Sequence, residues 1–301
     1  MRIVSLIASS TEMVCALDRG DALVGRSHEC DHPAWVRALP AVTSPKFALD
    51  GSSYDIDQRI RAILQEGLSV YHVDAAALDA LAPDVILTQE QCVVCAVSTA
   101  DVEAAVAALV GSRPRVVALA PDTLGDIWAD IERVAAALEV PERGRALVES
   151  LRGRVAAIAG QAAQPSRPRV AFIEWIDPLL AAGHWMPELI RCAGGTSVFG
   201  ADGEPGPAIS WDDLAAARPD VVVVAPCGFD LARTRAEMPR RDWGSLGARV
   251  VVADGNAYFN RPGPRIVESL EILAEIMHPA RVDFGRGRAG WDTYDRDKLA
   301  P

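Results

Sequence analysis

Residues 88–98 read TQEQCVVCAVS and residues 27–33 read SHECDHP. In the first stretch Cys92 and Cys95 stand three apart after an apolar run. In the second, His28, Glu29, Cys30, Asp31 and His32 put five ionisable or metal-binding groups at successive positions. Thiolates and imidazoles are ligands for zinc, and thiolates hold iron–sulfur clusters. Cys30, Cys92 and Cys95, with His28 as a fourth ligand, thus form one candidate set for zinc or an iron–sulfur cluster. A lone Cys-x-x-Cys does not enforce that outcome, because structural zinc sites ordinarily pair two such motifs. A redox disulfide needs the motif to open a helix, and the natural caps Ser98 and Thr99 come late for that. The plain alternatives are that these thiols line a ligand site or merely pack.

A second group is aromatic. EWIDPLLAAGHW (174–185) carries Glu174, Trp175, His184 and Trp185; PCGFD carries Cys227 and Phe229; NAYFNRPGPR carries Tyr258, Phe259 and Arg261. Tryptophans in polar loops suit a flat, partly apolar ligand. Their plain reading is packing within a lobe. A third stretch, ASSTEM (8–13), spaces Ser9 and Glu12 as a capping box. It predicts a helix N-terminus with free N–H groups, which makes Ser9, Ser10 and Thr11 ligand candidates. Gln89 closes the strand that leads into Cys92.

The elements that must position these residues are strands buried on both faces. RIVSLIA (2–8), ALVGRS (22–27), DVILTQ (84–89) and RVVALA (115–120) form a first set. RVAFIEW (169–175), DVVVVAP (220–226) and RVVVADG (249–255) form a second. Helical periods lie between them, which predicts parallel sheets. The sets repeat: LDALAPDVILTQ matches DDLAAARPDVVVVAP, each a helix, Pro-Asp, a buried strand and a loop with cysteine. Ligands of open parallel sheets bind beyond the carboxyl ends of the strands, where all three groups fall. Residues 121–166 read as a connecting helical segment, with Pro141 opening a second helix. The expected division is therefore an N-terminal α/β lobe over 1–120, the connector, and a C-terminal α/β lobe over 167–301. Its tail, from about residue 281, has no period and is expected to be loosely held. Cys15 and Cys192 fall in apolar helical patterns and are expected in the core.

A net charge of −11 without a basic run argues against a nucleic-acid partner. No segment reaches the roughly 20 apolar residues of a membrane span. The first strand starts within two residues of Met1, and no signal-peptide pattern precedes it. The expectation is a cytoplasmic chain, or a periplasmic one if a leader has been removed.

The stretches RIVSLIASSTEMVCALDRGDALVGRSHECDHP, LAPDVILTQEQC, GHWMPELIRCAGG, WDDLAAARPDVVVV and YFNRPGPRIVESLEILAEIMHP carry a resemblance extending to about residue 280. The chain resembles the cobalamin-binding members of the helical-backbone (class III) substrate-binding proteins, which serve ABC importers of cobalamin, haem and iron–siderophores. The resemblance implies two Rossmann-like lobes with parallel sheets joined by a long rigid connecting helix. It implies a corrinoid or related metal chelate in the cleft between them, sandwiched by aromatics. By position it assigns ligand contact to Trp175, Trp185, Tyr258, Phe259, Arg261 and His184, with first-lobe contacts in ASSTE, SHECDHP and TQEQCVVCAVS. An ABC permease is the implied partner of an exported form. The thiols exceed what a corrin sandwich needs. They keep open a cytosolic metalloprotein or enzyme on Cys30, Cys92 and Cys95, with Glu29 or Glu174 moving protons. No catalytic set is assigned.

Overall fold

Runs such as Val221–Val224, buried at every position, can only be satisfied in a sheet covered on both faces. A computed structural model describes residues 1–65, 70–90, 99–107 and 113–295. Contacts divide it into two compact units. Unit 1 comprises Met1–Asp50, Asp55–Pro121 and Gly125–Ser150. Unit 2 comprises Gly51–Tyr54, Asp122–Leu124 and the chain from Leu151 onward.

In unit 1 the elements are β1 (Ile3–Ser5), α1 (Ala8–Ala16), β2 (Leu23–Arg26), β3 (Thr43–Pro45), α2 (Ser53–Gln65), β4 (Tyr71–Val73), α3 (Ala75–Leu81), β5 (Val85–Gln89), α4 (Thr99–Ala107), β6 (Arg115–Leu119) and α5 (Leu124–Ala137). Its parallel sheet runs β2-β1-β5-β6, and β3 and β4 form a separate antiparallel pair. Next comes α6 (Pro141–Ala162), a continuous helix opened by Pro141, whose first half counts with unit 1 and second half with unit 2.

Unit 2 continues with β7 (Arg169–Trp175), β8 (Leu180–Ala181), α7 (Met186–Cys192), β9 (Thr196–Ser197), α8 (Trp211–Ala217), β10 (Val221–Val224), α9 (Leu231–Glu237), β11 (Arg249–Ala253), α10 (Ile266–Met277) and β12 (Trp291–Thr293). Its sheet runs β12-β11-β10-β7-β8, with β9 also on β7. The strands β11, β10 and β7 are parallel, and β8 and β12 are antiparallel edges.

The repeat read from the sequence is present in the structure. α3 and α8 both end in a left-handed residue, Ala82 (φ 41°) and Arg218 (φ 44°), ahead of Pro-Asp. Asp84 and Asp220 then accept from the backbone N–H of Arg2 and of Arg169, each at 2.7 Å. The guanidinium of Arg2 donates to Leu81 O at 2.7 Å, and that of Arg169 to Ala217 O at 2.8 Å. The order β2-β1-β5-β6 thus corresponds to β9-β7-β10-β11.

Three expectations are corrected. α1 begins at Ala8 with Ile7 as an uncapped N-cap, so Ser9 and Glu12 form no capping box; Ser9 lies inside the helix. Cys15 and Cys192 are half-buried rather than core, and burial followed by Glu12 pushes the Cys15 thiol up to about 11. The tail is pinned. β12 pairs with β11, and the buried carboxylate of Glu275 accepts from Phe284 N, Arg286 N and the Trp291 indole N–H.

On α5, Asp130 is buried, with Oδ1 on Arg133. Burial pushes its carboxyl from 3.8 up to about 6, against the pull of Arg133. The folded state therefore holds this proton more tightly than the unfolded chain, and ionising it above about pH 6 costs stability. Asp130→Asn should gain about 1–2 kcal/mol at neutral pH, less than the ~3 that the shift alone gives because the amide must also be buried. The gain should vanish near pH 4. Urea denaturation at the two pH values measures it, and a gain independent of pH rules out the titration.

Candidate functional site

The carboxyl edge of the unit 2 sheet carries Trp175, Phe229 and Tyr258 of the aromatic group, at the end of β7 and in the segments after β10 and β11. Trp175 ends β7, and its indole N–H donates to Asp177 O at 3.1 Å, which turns the ring along the edge. Phe229, in the loop after β10, lies against it with ring centroids 5.3 Å apart and planes tilted by 56°. The guanidinium of Arg233 sits over the Phe229 ring at 4.7 Å, a cation–π contact. Arg233 projects from α9, whose first turn Asp230 caps through the Arg233 backbone N–H at 2.8 Å.

The three strand-end loops are stitched together. Cys227 N donates to Glu174 O at 3.0 Å, and Asn256 N donates to Phe229 O at 3.1 Å. After β11 the chain winds through one π-helical turn, Gly255–Phe259, capped by Asp254 through Ala257 N at 2.7 Å. Such turns recur at functional sites. This one separates its two aromatics. Phe259 is buried against Phe172 at 5.0 Å and belongs to the core, whereas Tyr258 is half-exposed beneath Arg265 at 5.4 Å. Arg261 is buried, with Nε donating to Asn256 O at 2.6 Å.

His184 and Trp185 follow β8, with ring centroids 6.0 Å apart. His184 takes a left-handed backbone at φ 52°, a conformation costing on the order of 1 kcal/mol outside glycine. The turn at 201–204 holds it there. His184 N donates to Glu204 O at 2.6 Å, and its carbonyl accepts from Gly203 N at 3.0 Å. Nδ1 lies 2.9 Å from Asp122 Oδ1. Trp185 is buried, and its Nε1–H has no acceptor among the described residues.

In unit 1 the carboxyl edge holds the other candidates. Ser10 Oγ donates to Ile7 O at 3.1 Å and lies 2.7 Å from Ser5 Oγ. Thr11 Oγ1 lies 2.7 Å from Ser5 Oγ and 3.0 Å from Cys30 Sγ. Ser10, Thr11 and Cys30 therefore belong to one buried hydroxyl–thiol chain behind the edge, beside the buried Ser9. His28 Nδ1 lies 2.8 Å from Thr43 Oγ1, its ring 5.2 Å from Tyr71, and its Nε2 4.0 Å from Glu29 Oε1. Burial, aided by the charge of Arg26, pulls the His28 pKa below its ordinary value. Tyr71 OH donates to Glu29 Oε1 at 3.4 Å. Gln89 is buried at the end of β5.

Cys92 and Cys95 lie outside the described residues. Among the described residues no group of three metal-ligating side chains converges, and no helix is long and apolar enough to cross a membrane. The sequence reading missed Asp122, Arg233, Arg265, Thr43 and Tyr71. Only Arg233 had a local signal, the Asp230 cap that places it in the first turn of α9.

The family model described as periplasmic binding protein matches residues 3–241. The vitamin B12-binding protein of Yersinia pestis is 24% identical over 279 residues, covering 92% of this chain and 86% of that protein. The one from Photorhabdus laumondii is 23% identical over 295 residues, covering 92% and 88%. Among solved structures, a periplasmic heme binding protein from Pseudomonas aeruginosa is similar with TM-score 0.70 and 22% identity, covering 93% of this chain and 94% of that one. The periplasmic vitamin B12 binding protein of Vibrio cholerae is similar with TM-score 0.66 and 20% identity, covering 94% and 98%. These neighbours share the two-lobed α/β fold, and the family match over residues 3–241 shows that this chain belongs to the periplasmic binding proteins.

Proposed function

We propose that the chain is a binding protein for a corrinoid or a related tetrapyrrole-type metal chelate, and that an exported form delivers it to an ABC permease. The observation that carries this reading is the carboxyl edge of the unit 2 sheet. There Trp175, Phe229 and the Arg233 guanidinium lie in one contact series, and the half-exposed Tyr258 lies in the turn after β11. A large flat macrocycle gains most from aromatic faces, and its carboxylate or amide periphery gains from a few cations and N–H donors. The B12- and heme-binding proteins among its relatives and neighbours support the same ligand class.

The test is a visible spectrum of anaerobically purified protein, repeated after adding cobalamin or hemin and removing the excess. A retained corrin or haem spectrum supports the proposal, and a protein that retains neither overturns it. Trp185→Ala should weaken affinity by roughly tenfold to a hundredfold, the cost of losing a buried aromatic anchor. Unchanged affinity would remove Trp185 from the site. The same spectrum reads the thiol alternative: brown absorbance before any addition, with iron by elemental analysis, would assign a cluster to the Cys92 and Cys95 segment. Cys30 has its sulfur on the Thr11 hydroxyl, so it is not the residue that favours that reading.

A further inference from the structure

We infer that Arg233 is a specificity-determining residue of the aromatic edge, selecting a chelate whose ring carries a free carboxylate over one whose side chains are amides or esters; this rests on the ligand class proposed above. The guanidinium belongs to the contact series at that edge. Its Cζ stands 4.7 Å over the Phe229 ring, and Phe229 in turn touches Trp175 at the end of β7. A third of the side chain is open to solvent. Arginine holds a carboxylate through charge-assisted N–H···O bonds, which are roughly twice as strong as neutral ones.

Neighbouring groups fix that guanidinium in place. Nε faces Glu237 Oε1 at 3.9 Å, and Nη2 donates to the Gly51 carbonyl. Glu237 ends α9 and is buried. Its other oxygen accepts from Ser53 N and Ser53 Oγ, each at 3.2 Å, and pairs with Arg240 Nε at 3.1 Å. The carboxylate is thus itself held, and it holds Arg233 beside the Phe229 ring. Nη1 makes no hydrogen bond among the described residues. One N–H corner of a located guanidinium therefore stays available, which is what a preorganised polar contact needs.

The local charge points the same way. Arg233 and Arg240 share the single carboxylate of Glu237, which leaves that group one positive charge in surplus. The Asp230 carboxylate is directed at the first turn of α9, where it accepts from Arg233 N at 2.8 Å. Arg235 and Arg241 already have Asp292 and Asp177. The chain as a whole carries −11, so its long-range field repels an anionic ligand. A preference for the acid must then come from a cation at the site. Two other arginines follow the π-helical turn. Arg261 is buried with Nε on Asn256 O at 2.6 Å, and Arg265 stands over Tyr258 at 5.4 Å, so Arg265 is the competing candidate.

The probes are hemin and its dimethyl ester, which share the iron and the macrocycle and differ only in the ring carboxylates. Each is titrated into the full chain, and the ratio of the two affinities is the readout. The unmodified chain should bind the free acid roughly tenfold to a hundredfold more tightly than the ester. Arg233→Gln should bring the two affinities to within about threefold of each other. Arg235→Gln removes the same charge from the same helix, and Arg265→Gln removes the competing cation; both should keep the preference for the acid. Equal affinity for acid and ester in the unmodified chain, or a preference that survives in Arg233→Gln, overturns the selection and leaves the binding function standing. Retention of cobalamin with neither form of hemin does the same. Failure to retain hemin, its ester or cobalamin overturns both.

Discussion

Gly255→Ala should destabilise unit 2 by about 3 kcal/mol and weaken ligand binding with it, the behaviour of an overpacked core site that cannot relax. Gly255 is buried at the start of the π-helical turn. A Cβ there would lie 2.1 Å from Pro226 O, 2.8 Å from Ala225 O and 2.9 Å from Pro226 C. All three are main-chain atoms, so no rotamer change relieves the clash. The β11 turn must lift from the β10 loop, and the bond from Asn256 N to Phe229 O lies across that seam. Phe229 would then lose its register with Trp175, and Tyr258 and Arg261 would move with the turn. A control sits on α6, where a Cβ at Gly153 meets nothing within 4 Å. There Gly153→Ala should gain about 0.5–1 kcal/mol, the ordinary helix preference for alanine. Chemical denaturation of both variants measures the contrast. An unchanged midpoint for Gly255→Ala would mean that the two loops are not in contact in solution.

The same contact shows what could be read without coordinates. The central strands were legible because burial on both faces leaves unbroken Val-rich runs, and because LAPD and ARPD repeat before β5 and β10. The shared clamp of Asp84 on Arg2 N and Asp220 on Arg169 N explains why Pro-Asp and a basic residue recur at those positions. The strands β3, β4, β8, β9 and β12 have two or three residues each. Their partners rather than their composition define them, so no local period could mark them. The aromatic loops were legible as a group, but their order was not. Tyr258 and Phe259 are adjacent, and only the winding of the Gly255–Phe259 turn decides which one packs on Phe172. Ser9, Ser10 and Thr11 read as a displayed cap, yet α1 starts earlier and turns them into the buried face. The Asp122–His184 pair spans 62 residues. It joins the start of the connector to a loop after β8, and no motif spacing encodes that.

The tail is where sequence and structure differ most, and Glu275→Ala should show why. Glu275 is a buried carboxylate near the end of α10, taking three N–H donors from the tail: Phe284 N, Arg286 N at 3.0 Å and Trp291 Nε1 at 2.8 Å. Removing the acceptor strands three part-buried donors, and a fully buried donor left unmade costs about 1–3 kcal/mol. Part of that is recovered as the tail loosens and water reaches the donors, so the expected loss is about 3 kcal/mol. Glu275→Gln keeps one carbonyl oxygen and should lose less. The loss is local in origin. Arg286 still has Glu268 and Glu271, at 3.0 and 2.8 Å, whereas β12 loses its anchor at Trp291. Hydrogen exchange should therefore accelerate over 291–294, including the Tyr294 N–H that bonds to Val250 O. The effect reaches the site through β11. Asp254 N donates to Gly290 O, and the Asp254 side chain caps the turn that carries Tyr258 and Arg261. A loosened tail should thus weaken ligand binding without touching any aromatic residue. If protection over 291–294 is unchanged in Glu275→Ala, the carboxylate does not hold the tail, and the strand pairing of β12 with β11 stands on its own.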